Sequence, residues 1–287
     1  MTSAQAVAAV RRILDAAKAG HAGTLDPLAT GVLPIALGEA TKTASYVVDA
    51  HKEYAFTVRW GEARDTDDGE GRVVATSEAR PDEAQIRAVL GEFYGTIVQV
   101  PPAYSAIKID GVRAYARARR EETFEMLARK VEIESLDLVS CPDRDHAQFR
   151  VRCGKGTYVR SLARDIAVRL GTHGHIQQLR RLAVGRFTVD TAISLESLEL
   201  LGHSAAHNPH LIPLETALDD IPALAVSEDM AARLRKGQAV EMGSAADRFL
   251  LERLGEGALL CARLDGRAVA LVKASGHAIR PVRVLNL

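Results

Sequence analysis

The chain has 287 residues with 37 Lys or Arg against 37 Asp or Glu, so it carries no formal net charge at pH 7. At 47% hydrophobic and 26% charged, it has the composition of a globular protein with room for one large domain and one small one. Three scattered cysteines outside any CxxC spacing argue against a disulfide framework or a zinc ribbon, and no apolar run reaches the ~18 residues of a membrane span, so the expectation is a cytoplasmic protein with no membrane partner.

Residues 3–19 are predicted to be helical, because Val7, Val10, Leu14 and Ala17 recur on one face. Thr2 and Gln5 are placed as a capping box, and Gly20 is placed to stop the helix. There follows a glycine-rich loop, Gly20-His21-Ala22-Gly23-Thr24-Leu25-Asp26-Pro27-Leu28-Ala29-Thr30-Gly31, in which Asp26 is the lone carboxylate. Pro27 fixes its own φ and biases Asp26 towards an extended backbone. By itself such an aspartate reads as a helix cap or an Asx turn. Residues 32–37 are apolar, and 38–48 lead into a short helix. Residues 53–60 alternate as a strand, with Tyr54, Phe56, Val58 and Trp60 on one face. On that pattern alone Tyr54 is a core tyrosine.

The acids of 64–71 alternate like the opening of a calcium loop, but Thr76 stands where the bidentate glutamate belongs, so the segment reads as a solvated turn. A helix is expected over 82–94, with Ile86, Val89, Leu90 and Phe93 on its inner side. In Val100-Pro101-Pro102-Ala103-Tyr104-Ser105-Ala106-Ile107-Lys108-Ile109-Asp110-Gly111-Val112-Arg113, the Asp110-Gly111 pair signals a type I′ hairpin. Phe149, Val151 and Cys153 alternate along a strand into Gly154-Lys155-Gly156. Thr157-Tyr158-Val159-Arg160 then opens a helix to Leu170 that buries Leu162, Ile166 and Leu170. His173-Gly174-His175 lacks the further ligands of a metal site and reads as a loop. It precedes Ile176-Gln177-Gln178-Leu179-Arg180-Arg181-Leu182-Ala183-Val184-Gly185. Short helices with a His, Asn and Pro linker at 203–213 fill 192–221, and short strands follow from Leu224, among them 259–264 and 267–273 about an Asp265-Gly266 turn. The charges are segregated: 150–186 holds nine Lys or Arg against one acid, whereas 190–229 holds eight acids and no Lys or Arg. Such a division suggests one basic face for a polyanion.

Four of these stretches (the Asp26 loop, 100–115, Lys155-Gly156-Thr157-Tyr158-Val159-Arg160 and 176–185) resemble, in the same order, the signatures of the TruB family, synthases that make pseudouridine in the T loop of transfer RNA. The resemblance implies an α/β (α+β) fold with a mixed, mainly antiparallel sheet and flanking helices. It implies a catalytic domain over 1–221, with an RNA-gripping insertion at about 100–131, and a PUA-like RNA-binding β domain over 222–287. Asp26 falls on the family's nucleophile and Arg160 on its guanidinium partner. Tyr54 falls on the ring on which the target uracil stacks, and Leu179 on the floor of the pocket. His21 matches the histidine that fills the space left by the extruded base. Tyr158 would lie against the flipped base, either positioning it or relaying the proton that leaves C5; its phenol titrates near ~10, which favours positioning. Lys108, Arg113, Lys155, Arg180 and Arg181 would contact RNA. Residues 65–68 resemble the family's Asp-Thr-x-Asp loop, which carries no metal. The family's Lys-Pro-x-Gly segment and its strand would precede Thr2-Ser3, so the native protein is expected to start upstream of Met1.

Converting uridine to pseudouridine breaks the N1 glycosidic bond, turns the ring and joins C5 to C1′. It changes no oxidation state and imports no group, so no cofactor or metal is expected. A carboxylate can attack covalently or assist loss of uracil as a glycal forms, and the sequence leaves both open. The expected partner is the T-arm stem-loop of transfer RNA, with no obligate protein partner implied. Two rival classes are a non-catalytic RNA-folding protein and a glycoside hydrolase; the latter usually needs two carboxyl groups ~5–10 Å apart, where the motifs supply one acid and an arginine.

Overall fold

The computed structural model describes residues 1–201 and 210–287, and much of the expected linker at 203–213 lies outside them. Residues 25–32 and 49–190 form one compact unit; residues 1–24, 33–48 and 191–287 form another.

The first unit is built on the strand Lys52–Trp60, whose alternation buries Phe56, Val58 and Trp60 and leaves Tyr54 half-buried beside them. It lies between Gly174–Val184 and His146–Cys153 in a seven-stranded sheet that continues outwards to Arg129–Asp143 and Gly95–Gln99 on one side and Phe187–Thr188 on the other. These neighbours are all antiparallel, and the short strand Thr30–Gly31 joins Gly174–Val184 in parallel. The mixed, mainly antiparallel sheet is therefore as expected.

Helix Val159–Arg169 brings Leu162, Ala163, Ile166 and Ala167 into the same core as Trp60 and Phe149. It comes close to the sheet at Gly174, where an added Cβ would lie 2.9 Å from the Ala167 Cβ and 3.1 Å from Trp60 and Val58. That packing corrects the loop expected at 173–175: Gly174 starts a strand, and His175 is fully buried, its Nδ1 3.1 Å from the Glu62 carbonyl oxygen. Helix Glu83–Leu90 starts on an Asp82–Gln85 capping box and buries Ile86 and Leu90. The Asp110-Gly111 hairpin forms with φ of 51° and 83°, joining Lys108–Ile109 to Val112–Arg113.

In the other unit the Thr2–Gln5 capping box starts helix Ser3–Ile13, which ends well before the predicted 19. Asp15 takes a left-handed φ of 45°, and the Ala16 and Asp15 amides turn back to the Arg11 and Arg12 carbonyls, a closure that hydrophobic periodicity does not report. Gly20 instead lies in strand Ala19–His21, paired with Ile35–Leu37. A five-stranded sheet runs in the order Ala223–Ala225, Leu259–Leu264, Arg267–Ser275, Ala278–Val284, Val240–Glu241. Helices Glu228–Arg235 and Ala245–Leu254, capped by Ser227 and Ser244, accompany it and were not anticipated. The segment 38–48 belongs with this sheet: Lys42 Nζ donates to the Val284 carbonyl at 3.0 Å, the Asn286 amide donates to Glu39 at 2.8 Å, and Ala40 and Tyr46 pack with Leu271 and Leu285. The expected boundary at 221/222 thus falls inside one compact unit. Among the described residues no helix is long and apolar enough to cross a membrane.

Candidate active site

The segment bearing Asp26 is fixed at the middle and the far end of its 25–32 stretch. Leu28 and Ala29 pack against the sheet core, and the Val32 amide donates to the Arg181 carbonyl at 2.9 Å. At Gly31 the backbone has φ of 99°, and a Cβ there would sit 2.1 Å from the Arg181 carbonyl oxygen, so only glycine fits.

Arg160, in the first turn of helix Val159–Arg169, reaches Asp26 across 134 residues of sequence. Its Nε donates to Oδ2 at 2.7 Å and its Nη2 to Oδ1 at 3.2 Å, the two-pronged fork that fixes a carboxylate in plane. Its remaining donors are also taken. Nη1 donates to the Thr66 carbonyl at 2.9 Å, Nη2 donates to the Tyr104 carbonyl at 3.0 Å, and Asp68 Oδ2 lies 3.5 Å from Nη1. The arginine side chain is 5% exposed and that of Asp26 is 30% exposed. The cation is thus locked in protein, while the carboxylate keeps an open side.

Residues 64–71 are not the solvated turn their composition suggests. The Ile176 amide donates to the Asp67 carbonyl and the Gly69 amide to the Ile176 carbonyl, which docks the loop on the sheet and buries Asp68. The buried charges are tolerated because each has a partner. Asp68 accepts from the Thr66 hydroxyl at 2.6 Å and faces Arg160, while Asp67 accepts from Arg164 Nη1 at 2.7 Å. Burial pushes the Asp67 carboxyl up to about 6 despite the opposing pull of Arg164 and Arg160. Thr66, Asp67, Asp68, Arg164 and the Tyr104 carbonyl were not singled out from the sequence as site groups; the resemblance of 65–68 to the family's Asp-Thr-x-Asp loop and of 100–115 to a second family stretch was the signal available for all but Arg164.

Tyr54, Tyr158 and Leu179 belong to the same unit. Burial around the Tyr54 hydroxyl pushes its phenol up to about 12, against the pull of Arg181, which hydrogen-bonds it. Tyr158 caps the Arg160 helix, and its amide donates to Gln99 Oε1 at 2.8 Å. Burial raises the Tyr158 phenol too, opposed by Arg129 and by the Ser105 side chain. The negative charge of Asp26 adds to the rise at both phenols, so both rings are within its electrostatic reach, and both stay protonated at neutral pH. Leu179 sits opposite Phe56 in the sheet register and is buried in the core. His21 lies in the other unit, half-buried in strand Ala19–His21 opposite Ile35.

The expected cations divide into two groups. Lys108 and Arg113 face each other across the hairpin and are exposed, as is Arg180, whose Nη1 donates to the Thr30 hydroxyl at 3.3 Å. Lys155 is exposed with Asp49 3.1 Å away. Arg181 is the correction: it is 2% exposed, its Nε donates to the Val32 carbonyl at 2.8 Å and it bonds the Tyr54 phenol, so it is enclosed where an RNA phosphate does not reach. The bare basic face suggested by 150–186 is likewise reduced, since Arg150 pairs with Glu53, Arg152 with Glu134 and Arg169 with Glu92.

Residues 11–159 match the TruB family pseudouridylate synthase (N terminal domain), and residues 160–219 match the tRNA pseudouridylate synthase B C-terminal domain. The chain is 53% identical over 287 residues to tRNA pseudouridine synthase B of Rhodospirillum rubrum, covering 100% of this chain and 93% of that protein. It is 50% identical over 288 residues to tRNA pseudouridine synthase B of Caulobacter sp. (strain K31), with the same 100% and 93% coverage. Among solved structures it resembles a chain of a Cbf5-Nop10-Gar1 complex, with a TM-score of 0.76 at 27% identity over 99% of this chain and 81% of that one. A chain of an H/ACA RNP bound to a substrate RNA containing 2'-deoxyuridine shares the fold, with a TM-score of 0.74 at 24% identity over 100% of this chain and 82% of the other.

Proposed function

The chain belongs to the TruB family of pseudouridylate synthases, and we propose that it converts uridine to pseudouridine in the T loop of transfer RNA, at position 55, with Asp26 as the acting carboxylate. The observation that carries this reading is the Asp26–Arg160 fork, open on the carboxylate side and within electrostatic reach of the Tyr54 and Tyr158 phenols.

The target uridine must leave its stack, at a cost of a few kcal/mol, because C5 and N1 are inaccessible within it. Stacking on Tyr54 repays about 1–3 kcal/mol of that, and phosphate contacts supply the rest. Asp26, aimed by Arg160, then acts on the sugar or the base. The N1–C1′ bond breaks, the ring turns over Leu179, and the C5–C1′ bond forms. The proton shed by C5 is balanced by the one gained at N1, so the product is an isomer of the substrate. Tyr158 positions the ring. Its raised phenol pKa argues against a role as free base at neutral pH.

Lys108, Arg113, Lys155 and Arg180 serve as phosphate contacts that place the RNA without reading its sequence. The insertion at about 100–131 closes on the T arm, and the 222–287 region acts as a PUA-like grip on the rest of the RNA. His21 fills the space the base vacates. The test is to incubate the protein with an unmodified transfer RNA transcript and map pseudouridine by carbodiimide-dependent primer extension. One stop at the T-loop uridine is expected; no stop, or stops only elsewhere, would overturn the assignment.

A further inference from the structure

Arg129 has no part in the reaction as described, and unlike Arg119, which lies exposed over the Tyr115 ring, it is set half-buried against the ring of Tyr158. It opens strand Arg129–Asp143 directly opposite Gln99, the residue that holds the Tyr158 amide. Its Cζ lies 5.6 Å from the centroid of the Tyr158 ring, and a Cβ on Gly156 would come 3.9 Å from its Nη1, so the turn before Tyr158 runs alongside it. The residue is half-buried. Arg117, Arg150, Arg152, Arg160, Arg164 and Arg169 each pair with an acid. Among the described residues, the guanidinium of Arg129 makes no hydrogen bond and no ion pair, and it rests against the tyrosine ring.

A guanidinium offers five N–H donors in a rigid fork shaped for carboxylate or phosphate, and attraction to a ring face uses none of them. A half-buried arginine with its fork unspent, parked on the ring that is to lie against the substrate base, is arranged for an anion that arrives with that base. A nucleotide placed against Tyr158 carries its own phosphates only one sugar away. We propose that Arg129 binds a phosphodiester flanking the everted uridine, coupling capture of the backbone to placement of the base. This rests on the pseudouridine synthase reading above and adds to it a specific anion subsite at the catalytic pocket, separate from the exposed cations of the hairpin.

The experiment crosses Arg129→Gln and Arg129→Lys with T-arm stem-loops in which one of the two linkages flanking the target uridine is an uncharged methylphosphonate. Folding of each variant is checked by thermal melting, and pseudouridine formation is measured under saturating and subsaturating RNA. For the wild-type protein, one of the two methylphosphonates should raise KM about tenfold, the loss of one charge-assisted contact. R129Q should show the same rise on all-phosphate RNA and no further rise with that methylphosphonate. The slope of log Kd against log salt should become shallower by about 0.7 in R129Q, as for one single-strand phosphate. R129K, which keeps the charge and loses the fork, should fall between the two and serves alone if R129Q does not fold. The inference is overturned if R129Q or R129K leaves KM and the salt slope unchanged, or if the variant and methylphosphonate effects multiply at both linkages. Wild-type protein that forms no pseudouridine in all-phosphate RNA would overturn the function itself, so the two failures are distinct.

Discussion

Replacing Arg160 by Lys keeps one positive charge beside Asp26 and removes the fork. In the native site the guanidinium reaches five oxygens: both of Asp26, the carbonyls of Thr66 and Tyr104, and Oδ2 of Asp68. An ammonium has three donors, so at least two of these oxygens lose their partner in a pocket where the side chain is 5% exposed. With each orphaned contact costing about 1–3 kcal/mol, and Asp26 no longer held in plane, the barrier should rise by about 3 kcal/mol, or roughly two decades in rate. Tritium release from T-arm RNA carrying 5-tritiated uridine, measured in single turnover, reads that step directly, while filter binding and a thermal melt report affinity and folding. R160K should bind RNA nearly as well as wild type and turn over about 100-fold more slowly. A rate within about threefold of wild type, in a folded variant, would refute the idea that the planar fork aims the carboxylate.

Asp67 gives a pH signature. Its carboxyl is pushed up to about 6 by burial, above the ordinary value of 3.8, so the folded state holds this proton more tightly than the unfolded state. Its contribution to stability is full below the unfolded value and is lost as pH rises through about 6, a change of roughly 3 kcal/mol. Urea titrations from pH 4 to 7 should therefore show wild-type stability declining relative to D67N over that window; parallel curves would contradict the shift. Gly31→Ala would place a methyl 2.1 Å from a backbone carbonyl at positive φ and should destabilise the protein by ~3 kcal/mol or more in the same assay, and an unchanged midpoint would count against the tight seam. Tyr158→Phe keeps the ring and removes a phenol that stays protonated, so turnover should fall less than about tenfold with an unshifted pH profile; a much larger loss would mean the hydroxyl carries a proton.

The sheet and its central helix were legible in the sequence because alternation at 53–60 and i, i+4 spacing at 162–170 report a single buried face each. The Asp26–Arg160 pair was legible only through motif resemblance, since the partners lie 134 positions apart and no local pattern joins them. Asp67 and Asp68 were misjudged for the same reason: composition reads them as solvated, and their burial depends on Arg164 and Arg160, arginines far along the chain. Arg181 failed in the opposite sense. A charge count makes it surface, yet register sets it between Tyr54 on one strand and Gly31 on the other, where its guanidinium becomes an internal strut. Local periodicity carries short-range packing, whereas the placement of buried charge is decided by partners distant in sequence.

The most direct test is Asp26→Asn, an isosteric exchange that removes the carboxylate charge and leaves the fold and the RNA contacts in place. Tritium release from 5-tritiated uridine in transfer RNA should fall to background while filter binding retains wild-type affinity. Turnover sustained by D26N would contradict the central claim that this one carboxylate drives the isomerisation.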